Sequence, residues 1–172
     1  WNPSEKKLFL EDWGLRRHIA LLNIDGTIDS RMEKAVLDAL RAVPSSGAEA
    51  LIIRVSSPGG SALASDKIWA AIKFVRSQGI PVVASIGNMG ASGGFYIACG
   101  ADEIIAEPYS VVGSIGIYGG KVDASGLLDK IGVKAETVKT HKYADAESFN
   151  RPWTDEEKAA LQDYMDDFYD RF

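Results

Sequence analysis

The regular patterning of hydrophobic and polar positions begins at His18. Residues 1–17 mix polar and aromatic side chains without a clear period and read as a lead-in or linker. HIALLNIDG is then an apolar run closed by Asp-Gly, the pattern of a buried strand and a turn. In SRMEKAVLDALRAV, residues Met32, Val36, Leu37 and Leu40 recur at helical spacing, and Ser30 with Glu33 makes a capping-box pattern. EALIIRV predicts a second buried strand, stopped by SSPGGS. Residues 61–78 predict a second helix, with Leu63, Ile68, Trp69, Ile72 and Val75 on one side. IPVVASIG predicts a third strand and DEIIAEP a short fourth, with ETVKT a candidate for another. The stretch TDEEKAALQDYMDDFYDRF opens with Thr154 and Glu157 in capping-box positions and predicts a closing helix.

Strands that alternate with helices pair in parallel through right-handed crossovers. Strands that are apolar throughout imply a sheet covered on both faces. The expected class is therefore α/β, with a mostly parallel sheet and crossover helices on both sides.

Composition narrows the chemistry. At 172 residues the chain is long enough for one domain with a substantial core. A net charge of −5 argues against a nucleic-acid or anionic-membrane surface. One cysteine forbids an internal disulfide, and with only two histidines a structural zinc site is not expected. Cys99 reads as a small core residue. No apolar run approaches the roughly 20 residues of a membrane-spanning helix. The first residue is Trp, which suggests a fragment or processed form.

Two glycine-rich corners follow strands: SPGG after the second and GASGG after the third. In open α/β sheets, sites form at the carboxyl ends of strands. Glycine removes the Cβ that blocks close approach and leaves backbone N–H groups free to face a ligand. Acyl transfer needs a nucleophile, two donors for an oxyanion and a base. Ser92 and the two corners offer the first two. The same residues also suit tight helix–strand packing with Ser92 as an N-cap, or an anion site at a helix start. The P-loop and dinucleotide-binding spacings are both absent. Spacing alone does not choose a base among Lys121, Lys139, Lys142 and His141.

The segments RVSSPGGS, NMGASGGFYIACGADEIIAEP, VVGSIGIYG and THKYADAESFNRPWT, in that order, resemble the signal peptide peptidase A family. Those are membrane-associated serine peptidases with a Ser-Lys dyad on a Clp protease/crotonase-like fold. The likeness runs from about residue 18 to residue 172 and implies one peptidase domain there. It implies Ser92 as nucleophile, Lys142 as general base and Ser114 as the serine that orients the lysine. It places the oxyanion loop at SPGG, with one donor from Gly59 or Gly60 and the other from Gly93. Because both serine and lysine are present, the chain resembles the self-contained members. Family chains usually continue past the point matching Phe172 and carry an N-terminal membrane anchor, so the resemblance implies truncation at both ends.

The resemblance further implies peptide substrates such as released signal peptides or other short, unfolded apolar segments, no cofactor or metal, and no nucleic acid. It implies a homo-oligomer in which a neighbour can complete the dyad. It also implies membrane association through a segment outside this chain, with the catalytic domain outside the cytoplasm. Rival readings are a crotonase-type acyl-CoA enzyme and a catalytically silent assembly module on the same fold. A phage capsid-maturation peptidase or a stomatin-partner peptidase would share much of the pattern.

A lysine base must shed its proton near neutrality. That requires depressing a reference pKa of about 10.4 by roughly 3 units, about 4 kcal/mol. Tyr143, Ala144, Phe149 and Trp153 are candidate apolar walls, and Asp145 and Glu147 must point away. His141 is the rival base, and adjacent residues of an extended segment point in opposite directions.

Overall fold

A computed structural model describes residues 18–172, so the expected lead-in over 1–17 lies outside the described residues. The chain forms two compact units, one through Ile115 and the other Gly116–Phe172.

The first unit is built on parallel strands. β1 (His18–Asp25), β2 (Ala48–Ser57), β3 (Val82–Ala91) and β4 (Glu103–Ala106) lie side by side in that order. β5 (Val111–Gly113) also pairs with β3. β4 runs beside Val83–Ile86 and β5 beside Met89–Ala91, so the two short strands follow one another along the same neighbour. The helices α1 (Ser30–Ala42), α2 (Ala62–Ser77) and α3 (Gly93–Ala98) fill the crossovers.

Side-chain alternation decides which face is covered. Ile24, Leu51, Ile53, Val55, Val82, Ala84 and Ile86 are buried and join Val36, Leu40, Ile68, Ile72, Val75 and Ile97 in one core. Complete burial of each Val, Leu or Ile side chain among them contributes about 1.5–3 kcal/mol. The residues between them point to the other face, where Ile19 is 60%, Leu21 63% and Ile105 56% exposed. On that face the Arg54 guanidinium donates to Ser85 Oγ on the neighbouring strand at 2.7 Å. The parallel α/β class is as expected. The helices of this unit pack on one side of its sheet, whereas the sequence suggested helices on both. The apolar residues Ile19 and Leu21 signalled burial, but they lie on an edge strand with an open outer face.

Local chemistry sets the helix starts. α1 is capped by Asp29, one residue before the expected Ser30. The Asp29 carboxylate accepts from the Arg31 and Met32 N–H groups at 2.9 and 2.8 Å. α2 is capped by Ser61, and Leu63, expected on its buried side, is exposed, while its neighbours Ala64 and Ser65 take the buried side. Cys99 is exposed, which corrects the expectation of a core residue. It closes the short α3 facing outward, while Tyr96, Ile97 and Ala98 take the buried side.

The second unit contains α4 (Ser125–Lys130) and α5 (Asp155–Arg171). The predicted Thr154–Glu157 capping box forms, with the two residues exchanging backbone-to-side-chain bonds. ETVKT does not form a strand; Val138 is fully exposed and the segment has no ladder partner among the described residues. No helix of the described residues is long and apolar enough to cross a membrane.

Candidate active site

Ser92 sits where β3 ends and α3 begins. Its backbone is left-handed, with φ 50° and ψ −124°. A non-glycine residue there costs about 1–2 kcal/mol. The surroundings hold it: its N–H donates to Gly113 O at 2.8 Å, and its carbonyl accepts from Tyr96 N at 2.9 Å. Its side chain makes no cap bond to the helix it precedes. The reading of Ser92 as a simple N-cap therefore fails on geometry, and the hydroxyl is left for another use.

The SPGG corner lies directly against this turn. Gly59 has φ 95°, and a Cβ there would come within 2.7 Å of Gly93 N and 2.9 Å of Ser92 Cβ. Only glycine permits both that conformation and that approach. Ile28 ties the corner down: its N–H donates to Gly59 O at 2.9 Å, and its carbonyl accepts from Ser61 N at 2.8 Å. The Gly59 N–H is itself engaged, donating to Ser57 Oγ at 3.1 Å. The Gly60 and Gly93 N–H groups have no acceptor among the described residues. Of the expected alternatives, Gly59 is thus the glycine that approaches and Gly60 the one with an unused donor.

Ser114 arrives by strand register. β3 and β5 pair up to Ala91 with Gly113, so Ser92 and Ser114 are the next residues of two adjacent parallel strands. Both have positive φ, 50° and 52°. Against Gly93, the hydroxyl of the fully buried Ser65 donates to Ser61 O at 2.9 Å. Tyr96 Oη donates to Asp66 at 2.8 Å, anchoring α3 to α2.

Lys142 belongs to the second unit, and its surroundings there differ from those a base requires. Its ammonium pairs with Glu156 at 2.5 Å, and its side chain is 63% exposed. The Glu156 carboxylate holds its pKa above the usual lysine value. Of the proposed apolar walls, the Tyr143 ring lies 5.5 Å from Nζ. Asp145 does point elsewhere, to Lys139 at 2.7 Å and Arg151 at 2.8 Å. Glu156 is the carboxylate that sequence reasoning missed, because it lies fourteen residues from Lys142, at the start of the closing helix. The rival His141 has Nδ1 2.9 Å from Thr140 Oγ1. Ser92, Ser114, Gly59, Gly60 and Gly93 are gathered in the first unit, whereas both candidate bases are carried by the second.

Comparison with known proteins bears directly on this arrangement. Residues 75–172 match peptidase family S49, a span that includes Ser92, Ser114 and Lys142. The chain is 36% identical over 171 residues to Protease 4 of Haemophilus influenzae, covering 95% of this chain and 28% of that protein. Among solved structures it resembles a mutant of the membrane-bound stomatin-specific protease 1510-N in complex with a substrate peptide. That likeness has a TM-score of 0.55 and 27% identity, over 62% of this chain and 49% of the other. It also shares its fold with ClpP1 of Listeria monocytogenes, at a TM-score of 0.53 and 23% identity over 64% of each chain. The chain spans between about a quarter and just over half of the length of such curated relatives. With a Clp-like parallel sheet and a family match across more than half its length, this chain belongs to peptidase family S49.

Proposed function

We propose that the chain carries the catalytic machinery of a serine endopeptidase that uses Ser92 and Lys142. The observation that carries this reading is the strained Ser92 turn, its hydroxyl unused by the helix, beside the unengaged N–H groups of Gly60 and Gly93. Ser92 Oγ attacks the substrate carbonyl carbon while an uncharged Lys142 Nζ takes the hydroxyl proton. The Gly60 and Gly93 amides hold the oxyanion that forms. Collapse of the tetrahedral species breaks the C–N bond, and the lysine ammonium returns the proton to the leaving amine. Water, deprotonated by Lys142, then releases the acyl group and regenerates Ser92. Ser114, beside the nucleophile, orients the lysine.

Lys142 must leave Glu156 before it can act, because that pair stabilises its charged form. The lysine comes from the same copy or from a neighbour in a homo-oligomer. Substrates are short or unfolded apolar peptides, released signal peptides among them. The full-length protein is held at a membrane by a segment outside this chain, with its catalytic domain outside the cytoplasm. No cofactor enters the mechanism.

The test is cleavage of apolar peptides by the full-length protein and its Ser92→Ala, Lys142→Ala and His141→Ala variants. The expected result is loss of turnover in the first two and retention in the third. Activity that survives Lys142→Ala but not His141→Ala would transfer the base role to the histidine.

A further inference from the structure

Two fully buried hydroxyls lie under the glycine corners, and the proposed mechanism uses neither: Ser57 and Ser65. Ser57 is the last residue of β2 and touches both corners. Its side chain accepts the Gly59 N–H at 3.1 Å, across one intervening proline. Its backbone borders the nucleophile turn: a Cβ on Gly94 would lie 2.6 Å from Ser57 O and 3.2 Å from Ser57 Cβ. Ser65 Oγ occupies the space a Cβ on Gly93 would need.

The bond to Ser57 has a directional consequence. Successive amides of a turn can converge on a single anion. Here the first of the pair, on Gly59, is turned inward to a buried acceptor. The second, on Gly60, is left unengaged between the two backbone bonds that fix the loop to Ile28. Without the Ser57 hydroxyl, the Gly59 amide would be buried without an acceptor and the loop could rotate to satisfy it.

We propose that Ser57 is a positioning residue: by holding the Gly59 amide, its hydroxyl aims the Gly60 N–H at the oxyanion beside Ser92. This inference rests on the serine-peptidase reading. Ser57 touches no reacting atom. It acts only through the amide that meets the charge developing in the transition state, so its removal lowers turnover more than substrate binding.

The experiment compares full-length wild type, Ser57→Ala, Ser57→Cys, Ser57→Thr and Ser92→Ala on one apolar peptide. Rates are expressed per active site, titrated with a fluorophosphonate. Ser57→Ala lowers kcat about tenfold with KM within about twofold, the size expected for disturbing one oxyanion donor without deleting it. Ser57→Cys, of similar volume but a poor acceptor, behaves like Ala and supplies the test if the Ala protein does not fold. Ser57→Thr, which keeps the hydroxyl, recovers most of the rate. Wild-type kcat in both Ala and Cys variants overturns the proposal, as does a loss in KM alone or a Thr variant no better than Cys. A wild type that neither turns over nor labels, or a fully active Ser92→Ala, would instead remove the peptidase reading and this inference with it.

Discussion

Replacing Gly59 by Ala places a Cβ 2.7 Å from Gly93 N and 2.9 Å from Ser92 Cβ, in a backbone with φ 95°. Two costs are mixed in that substitution, and Gly26 separates them. Gly26 has nearly the same φ, 90°, but nothing lies within 4 Å of the point its methyl group would occupy. Gly26→Ala therefore reports the conformational cost alone, about 1–2 kcal/mol, partly offset by about 0.4–1 kcal/mol from a stiffer unfolded chain. Gly59→Ala carries the same cost plus the collision. The colliding atoms are backbone and Cβ rather than the end of a flexible side chain, so overpacking adds about 1–3 kcal/mol. Equilibrium urea unfolding followed by far-UV circular dichroism reads the difference. With m near 1–3 kcal/mol/M, the Gly59 variant should unfold about 1 M earlier than the Gly26 variant. In the full-length enzyme, Gly59→Ala should also cost on the order of a hundredfold in kcat, because the collision moves the oxyanion corner against the nucleophile. Equal midpoints for the two variants would refute the claim that the glycine corners touch.

The second unit should be acid-sensitive. Asp145 is held below the usual carboxylate range by Arg151 and then Lys139, and Glu157 is lowered from 4.5 to about 2 by Arg151 and then the Thr154 N–H. Depressed carboxylates stabilise the fold above their unfolded pKa, and that stability is lost as pH falls through the folded value. Stability should therefore decline between about pH 4.5 and pH 2, and Arg151→Met should flatten that decline in acid titrations followed by circular dichroism. The Lys142 pKa is raised, so the stabilisation from its pair is present below the unfolded value and fades as pH rises through the folded one. Glu156→Gln should lower that pKa, read by NMR of the lysine Nζ, and shift the acid limb of the peptidase pH profile to lower pH. An unchanged titration would show that Glu156 does not hold the lysine charged.

Much of the first unit was legible because its signals are local. Periodic residues such as Ile68 and Ile72 report burial directly and proved to be core, as did Leu51, Ile53 and Val55 of the run LIIRV. The turn at Ser92 was legible from the glycines that permit close approach. β5 was not, since three residues carry little pattern and it exists because Met89–Ala91 offers it a free edge. The Asp29 cap was misplaced by one residue because Ser30 fits the same motif, and only geometry shows which side chain reaches the Arg31 and Met32 amides. Ser57 stood in plain view within SSPGGS, but nothing in the sequence distinguishes a buried acceptor from a turn serine. Lys142 was selected by resemblance alone, and its partner Glu156 depends on how the loop before α5 returns to the helix start.

The central claim is that Ser92 is a nucleophile poised against the Gly60 and Gly93 amides. The most direct measurement is labelling of the full-length protein with a fluorophosphonate, followed by peptide mapping of the adduct by mass spectrometry. The account predicts one adduct, on Ser92, that disappears in Ser92→Ala and is strongly slowed in Lys142→Ala. An adduct on another residue, or labelling that persists undiminished in Ser92→Ala, would contradict it.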